Sequence, residues 1–222
     1  MTRTAKDLIE YLKSLANPED VEGMERFGIK GDKALGIRVP VLRKLARAHR
    51  NNHQLATDLW ASGIHEARIL ASMVDDPQQV TEEQMEAWVN DFDSWDVCDQ
   101  VCMNLFDKHS LAYEKAVEWS RREQEFVKRA GFAMMASLAV HDKTADDRLF
   151  EPFFERIQVG AQDERNFVKK AVNWALRQIG KQRPGLASRC VQLAQALAES
   201  ESKSERWVGM DALREFEKKG IL

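Results

Sequence analysis

Apolar residues recur every three or four positions along nearly the whole chain, the spacing of amphipathic helices. The pattern predicts helices over roughly 3–15, 19–28, 40–51, 53–61, 65–74, 82–91, 94–107, 110–121, 124–140, 146–159, 164–180, 184–199 and 204–218. Breaks fall at Asn17-Pro18, at Asp75-Asp76-Pro77, at Gly180 with Pro184, and from Ser200 to Ser204. Pro40 suits the first turn of a helix that follows the loop Gly31 to Gly36. Thr81-Glu82-Glu83-Gln84 and Ser204-Glu205 read as helix starts. No long low-complexity linker interrupts the pattern, and the chain reads as one all-helical repeat domain over 1–222.

Two of these helices open on the same motif, 41 residues apart: Phe126-Val127-Lys128-Arg129-Ala130 and Phe167-Val168-Lys169-Lys170-Ala171. The match continues, with Met134 against Ala175 and Leu138 against Ile179. A further offset of 40 sets Val168 against Val208, so a weaker third copy is expected to start near Arg206. A period near 40 in an all-helical chain marks a solenoid of paired helices, each pair burying its apolar face on its neighbours. The expected architecture is all-α, a curved α-α superhelix whose second helices line one groove. In the second copy Val168, Ala171, Val172, Ala175 and Ile179 form the apolar stripe, and Lys170, Asn173, Trp174 and Arg177 fall on the other side. An indole between cations on a polar face suits contact with something flat and negatively charged.

Composition narrows the class. Hydrophobic residues make up 44% and charged residues 31% of the 222, with 11 glycines and 5 prolines, the profile of an ordered helical protein with a heavily charged surface. No apolar run approaches the ~20 residues of a membrane span. Met1 to Lys13 lacks a signal-peptide core, so a cytoplasmic location is expected. Cys98, Cys102 and Cys190 show no metal-type spacing and read as reduced core residues. Net charge is −3, yet it is segregated: +7 over residues 26–50, −9 over 66–99, +5 over 121–190. Two basic regions flanking an acidic one can build a basic face on a mildly acidic protein, although solvated helix surface gives the same counts.

Candidate chemistry centres on Ser94-Trp95-Asp96-Val97-Cys98-Asp99-Gln100. On a helix, Cys98, Val101, Cys102 and Leu105 make the core stripe, Trp95 lies at its edge, and Asp99 is one turn beyond. An aromatic ring beside a carboxylate suits a sugar that develops positive charge. A core-edge tryptophan beside helix-start acids accounts for the same spacing. His49 and His53 are four apart but find no third ligand and read as surface histidines. Gly180-Lys181 lacks the glycine-rich turn of a phosphate loop, and Met134, Met135 and Leu138 are core filling.

The chain resembles the AlkD-type DNA alkylation repair family, alkylpurine DNA glycosylases built from HEAT-like helical repeats. The likeness rests on Gly36-Ile37-Arg38-Val39-Pro40 with Leu42-Arg43-Lys44-Leu45, on the Trp95…Asp99 spacing, on Lys128-Arg129-Ala130, and on Ala171-Val172-Asn173-Trp174-Ala175-Leu176-Arg177. It implies a groove for duplex DNA carrying alkylated bases and hydrolysis of the N-glycosidic bond of cationic N3- and N7-alkylated purines, with no metal and no cofactor. By the same resemblance Asp99 stabilises the sugar cation and positions water, Trp95 and Trp174 pack on the deoxyribose, and Arg129 holds a phosphate. The helical face adds Lys170 and Arg177, and the early basic stretch adds Arg43 and Lys44, as backbone contacts. A monomer, nucleoid-associated when bound to DNA, is expected. Two other readings stay open: a helical-repeat scaffold for a protein partner, and a non-catalytic binder of branched or distorted DNA.

Overall fold

The computed structural model describes residues 4–29 and 31–222, and among them it holds α-helices and short 3-10 turns and no strand. The predicted start of the first helix at residue 3 lies outside the described residues. The helices pack as two compact units, Met1–His109 and Ser110–Leu222.

The first unit holds α1 (Ala5–Ser14), α2 (Pro18–Glu25), α3 (Val39–Ala46), α4 (His53–Ala61), α5 (His65–Val74), α6 (Glu82–Asn90) and α7 (Trp95–Asn104). Side-chain caps fix most of the starts. Thr4 and Asp7 form a reciprocal capping box on α1, Asn17 caps α2 ahead of Pro18, Asn52 caps α4, and Thr81 caps α6. Helix α5 packs against α3, α4 and α7 and is buried on almost every side, from His65 and Glu66 through Leu70 to Val74. The Trp60 and Trp88 rings stack at 4.0 Å and 2°, and Phe92 and Phe106 close the same cluster.

Glu66 ties this core to the loop before α3. Its carboxylate is fully buried and accepts the backbone N–H groups of Leu35 (2.8 Å), Gly36 (2.7 Å) and Ile37 (3.1 Å). A buried carboxylate persists only when its lone pairs are filled, and three amides fill them here. Gly36 has φ +75 and its missing Cβ would fall 2.2 Å from the Asn17 carbonyl, so only glycine fits between α2 and this clasp.

The second unit holds α8 (Ala112–Trp119), α9 (Glu125–His141), α10 (Glu151–Gly160), α11 (Asn166–Gln182), α12 (Ala187–Ala198) and α13 (Lys203–Lys218). Helices α9, α11 and α13 lie side by side as one layer, and α8, α10 and α12 form the second. The 41-residue repeat is real in space. Phe126 and Phe167 meet at 5.7 Å at the starts of α9 and α11, and Ala130, Met134, Leu138, Ala171, Ala175 and Ile179 are all buried. The third copy is displaced from its expected register. Helix α13 starts at Lys203, so its buried Val208, Ala212 and Phe216 answer to Ala171, Ala175 and Ile179 at an offset of 37. A shorter connection between α11 and α12 (183–186, against 142–150 between α9 and α10) accounts for the difference.

Candidate nucleic-acid interface

Helix α7 brings Trp95 and Asp99 to one side, a turn apart and both half-buried, while Val97, Cys98, Val101 and Cys102 are sealed behind them. The Trp95 indole N–H donates to the Phe27 carbonyl at 3.1 Å, which fixes the ring plane. The ring forms one wall of a cleft of about 320 Å³, with Met24, Phe27, Ile37, Val39 and Ile69 as apolar walls. Two ion pairs border it. Arg38 meets Asp20 at 3.1 Å, and His65 meets Asp96 at 2.8 Å. Burial alone would push the His65 imidazole down, but the Asp96 hydrogen bond and charge, with the charges of Glu66 and Asp93, outweigh it and hold the ring above the usual histidine range.

The segregated acids of 66–99 turn out to be divided. Glu66 sits on backbone amides, Asp75 is buried against His53 (2.8 Å) and Gln84 (2.7 Å), Asp96 holds His65, and Asp91 and Asp93 flank Arg68 at 3.8 Å each. Glu82 and Glu83 lie exposed on α6. Glu66 and Asp75 are buried, while Asp91, Asp93, Glu82 and Glu83 are exposed, so the block is part internal structure and part acidic surface. Among the described residues no three His, Cys, Asp or Glu side chains gather as for a metal ion, and no helix is long and apolar enough to cross a membrane. His49, expected at the surface, is buried, and His53 is taken up by Asp75.

In the second unit the expected polar face of α11 needs correction. Lys170 is exposed and Trp174 half-buried. Asn173 is buried, its amide donating to the Val208 carbonyl of α13 at 3.1 Å. Arg177 faces Asp211 (3.9 Å) and Glu215 (4.0 Å), so its charge is already met by acids of α13. Arg129 is 5% exposed and donates through Nη1 to the Phe167 carbonyl at 2.5 Å. That bond holds the guanidinium between α9 and the start of α11. Arg43 and Lys44 are exposed on α3. Sequence reasoning missed the Phe27 anchor, the His65–Asp96 pair, and Trp207, whose ring lies 5.3 Å from the Lys169 ammonium. Each joins residues 31 or more apart, beyond the reach of any helical period.

These residues stand in a chain that belongs to a known family. The profile of the DNA alkylation repair enzyme family matches residues 8–216, and the chain is a member of that family. Two relatives are uncharacterized proteins of Listeria. The one from Listeria innocua is 23% identical over 198 residues, covering 87% of this chain and 86% of its own. The one from Listeria monocytogenes is 22% identical over the same shares. A solved structure matches with a TM-score of 0.82 at 17% identity, covering 99% of this chain and 96% of that one. It comes from a new family of proteins related to the HEAT-like repeat DNA glycosylases, with affinity for branched DNA structures. The fold is therefore that of the HEAT-like repeat proteins.

Proposed function

We propose that this chain is a DNA glycosylase that hydrolyses the N-glycosidic bond of N3- and N7-alkylated purines in duplex DNA. The observation that carries this reading is Trp95 beside Asp99 on α7, the indole pinned to the Phe27 carbonyl, in a member of the DNA alkylation repair enzyme family. An alkylated purine is cationic and leaves as a neutral base when the C1′–N bond breaks and its electron pair goes to the ring. Positive charge then develops on the sugar. The Asp99 carboxylate stabilises that charge and orients the water whose oxygen bonds to C1′, and the water's proton passes to the carboxylate or to solvent. The Trp95 ring face favours the same cation.

Lys170, exposed, is assigned to a backbone phosphate. Arg129, held on a carbonyl, is assigned as a fixed positive charge and not as a mobile phosphate clamp. Arg177 is withdrawn as a phosphate contact, because Asp211 and Glu215 compete for it. The test is release of free base from a duplex containing 7-methylguanine. Wild type is expected to release it, and Asp99→Asn to slow release by on the order of 100-fold or more with binding retained. Unchanged release in Asp99→Asn removes the carboxylate from the mechanism. The structural relative's described affinity for branched DNA favours a second reading, a non-catalytic DNA binder. A wild-type protein that binds a four-way junction and releases no base from alkylated DNA would establish it.

A further inference from the structure

We propose that the cleft beside Trp95 is a base site, which receives the alkylated purine itself, turned out of the duplex stack. The site takes its ligand from the reading above, an alkylated purine in DNA, and does not depend on the chemistry at Asp99. Its volume of about 320 Å³ lies within the roughly 300–1,000 Å³ of sites that enclose small ligands. All of its walls come from the first unit.

Helix α2 keeps the cleft open. Asp20, Gly23 and Met24 line it at helical spacing, and Phe27 continues the same face past the helix end. Gly23 leaves the middle of that face bare, and a Cβ there would meet nothing within 4 Å. Trp95 lines the same cleft from α7, tied to α2's exit turn by the indole bond to the Phe27 carbonyl. The gap therefore has an aromatic wall at Trp95 and no side chain entering it from Gly23. Phe27 is 70% exposed, a large apolar ring left at the border. A flat ring seated in the cleft covers apolar surface that water otherwise meets.

The chemistry of the walls favours an alkylated purine as that ring. A cation is attracted to an indole face, and these lesions are cationic where the undamaged base is neutral. Asp20 and Asp96 add carboxylates, while Arg38, the partner of Asp20, extends to solvent with its side chain 77% exposed. Oδ2 of Asp96 holds His65, and Oδ1 is enclosed with no hydrogen-bond partner among the described residues. An unfilled buried acceptor is costly, and the amino groups of adenine and guanine are donors that a carboxylate accepts. Extrusion is itself selective, since a damaged base costs least to unstack. Asp99 stands one turn further along α7, a rise of about 6 Å, so a base held at Trp95 leaves its sugar within reach of that carboxylate.

The experiment titrates the protein with 7-methylguanosine, cationic in mildly acidic buffer, and with guanosine, by ligand-observed NMR. Wild type should bind 7-methylguanosine saturably and guanosine on the order of tenfold more weakly. Gly23→Phe adds a ring in the gap and changes none of Trp95, Asp99 or the two ion pairs. It should weaken 7-methylguanosine binding by on the order of tenfold or more. Single-turnover release from a 7-methylguanine duplex should slow by on the order of 100-fold. Duplex affinity should stay within about twofold, because phosphate contacts dominate it. Gly23→Ala, whose methyl group leaves the gap open, should match wild type in all three. Thermal melts check folding, and Gly23→Leu replaces Gly23→Phe where the larger ring unfolds the chain. Equal binding of the two nucleosides by wild type, or no saturable binding of 7-methylguanosine, overturns the base site without any variant. So does a folded Gly23→Phe that binds the nucleoside and releases base as wild type does. A wild type that binds 7-methylguanosine, loses it in Gly23→Phe and releases no base from DNA overturns the glycosylase reading alone.

Discussion

Trp95 presents a ring face to the cleft and spends its one polar atom on the Phe27 carbonyl. The two roles separate by substitution. Trp95→Phe keeps a ring and removes the N–H donor. Such a bond is worth about 0.5–1.5 kcal/mol, so single-turnover base release should slow by roughly two- to tenfold. Trp95→Ala removes the ring as well, and release should fall by on the order of 100-fold. Equal effects of the two substitutions would mean that the ring face contributes nothing. Glu66 is the second residue on which much depends, because one carboxylate serves three amides in a site closed to water. Glu66→Gln loses the charge and turns an amide donor toward N–H groups. Urea denaturation should show a loss of about 3 kcal/mol. A variant as stable as wild type would show that the loop before α3 is held by other contacts.

At the scale of elements, two glycines set how closely helices pack. Gly131 on α9 and Gly209 on α13 occupy the same position, the seventh residue of each helix. A Cβ on Gly131 would lie 2.3 Å from the Ser120 nitrogen and 2.8 Å from the Ala116 carbonyl of α8. One on Gly209 would lie 2.4 Å from the Ala198 nitrogen and 2.5 Å from the Ala194 carbonyl of α12. Both meet backbone, which cannot step aside as a flexible side chain can. Gly131→Ala and Gly209→Ala should each cost about 1–3 kcal/mol or more. Gly23 on α2 has nothing within 4 Å, and Gly23→Ala should stabilise by roughly 0.5–1 kcal/mol through helix propensity. Thermal melts of the three variants check the contrast, and a stabilised Gly131→Ala would refute the close approach.

The same scale shows what could be read in advance. The repeat of α9 and α11 was legible because both carry the same buried stripe from the same starting turn. The α13 copy was misplaced by three residues because the connection between α11 and α12 is shorter than the one between α9 and α10. The burial of Arg129 and Asn173 was illegible, since their partners are the Phe167 and Val208 carbonyls of neighbouring helices. A helical period says which side a residue occupies, not whether another helix covers it. Helix α3 was predicted to run to residue 51 and ends at Ala46, although its charge pattern was already visible.

For the whole molecule, the titrating groups predict how stability follows pH from both sides. Asp163 is held below the usual carboxylate range, chiefly by Arg165 hydrogen bonds, against the opposing cost of burial. A carboxyl lowered on folding adds stability above its unfolded value near ~3.9, lost as pH falls through its folded value. His65 works in the other direction. Its folded value is raised, so the pair with Asp96 contributes fully below the unfolded value near ~6.5 and fades as pH rises through the folded one. Asp75 is raised by burial despite His53 and Gln84, so it favours the folded state only where it keeps its proton and does not broaden the alkaline side. Thermal melts from pH 6 to 9 isolate the histidine. His65→Asn should be less stable than wild type at pH 6, and the gap should narrow toward pH 9. It should not vanish, because a neutral imidazole still donates from Nε2 to Asp96. A gap that stays constant over this range would mean that His65 holds α7 through packing and a neutral hydrogen bond alone.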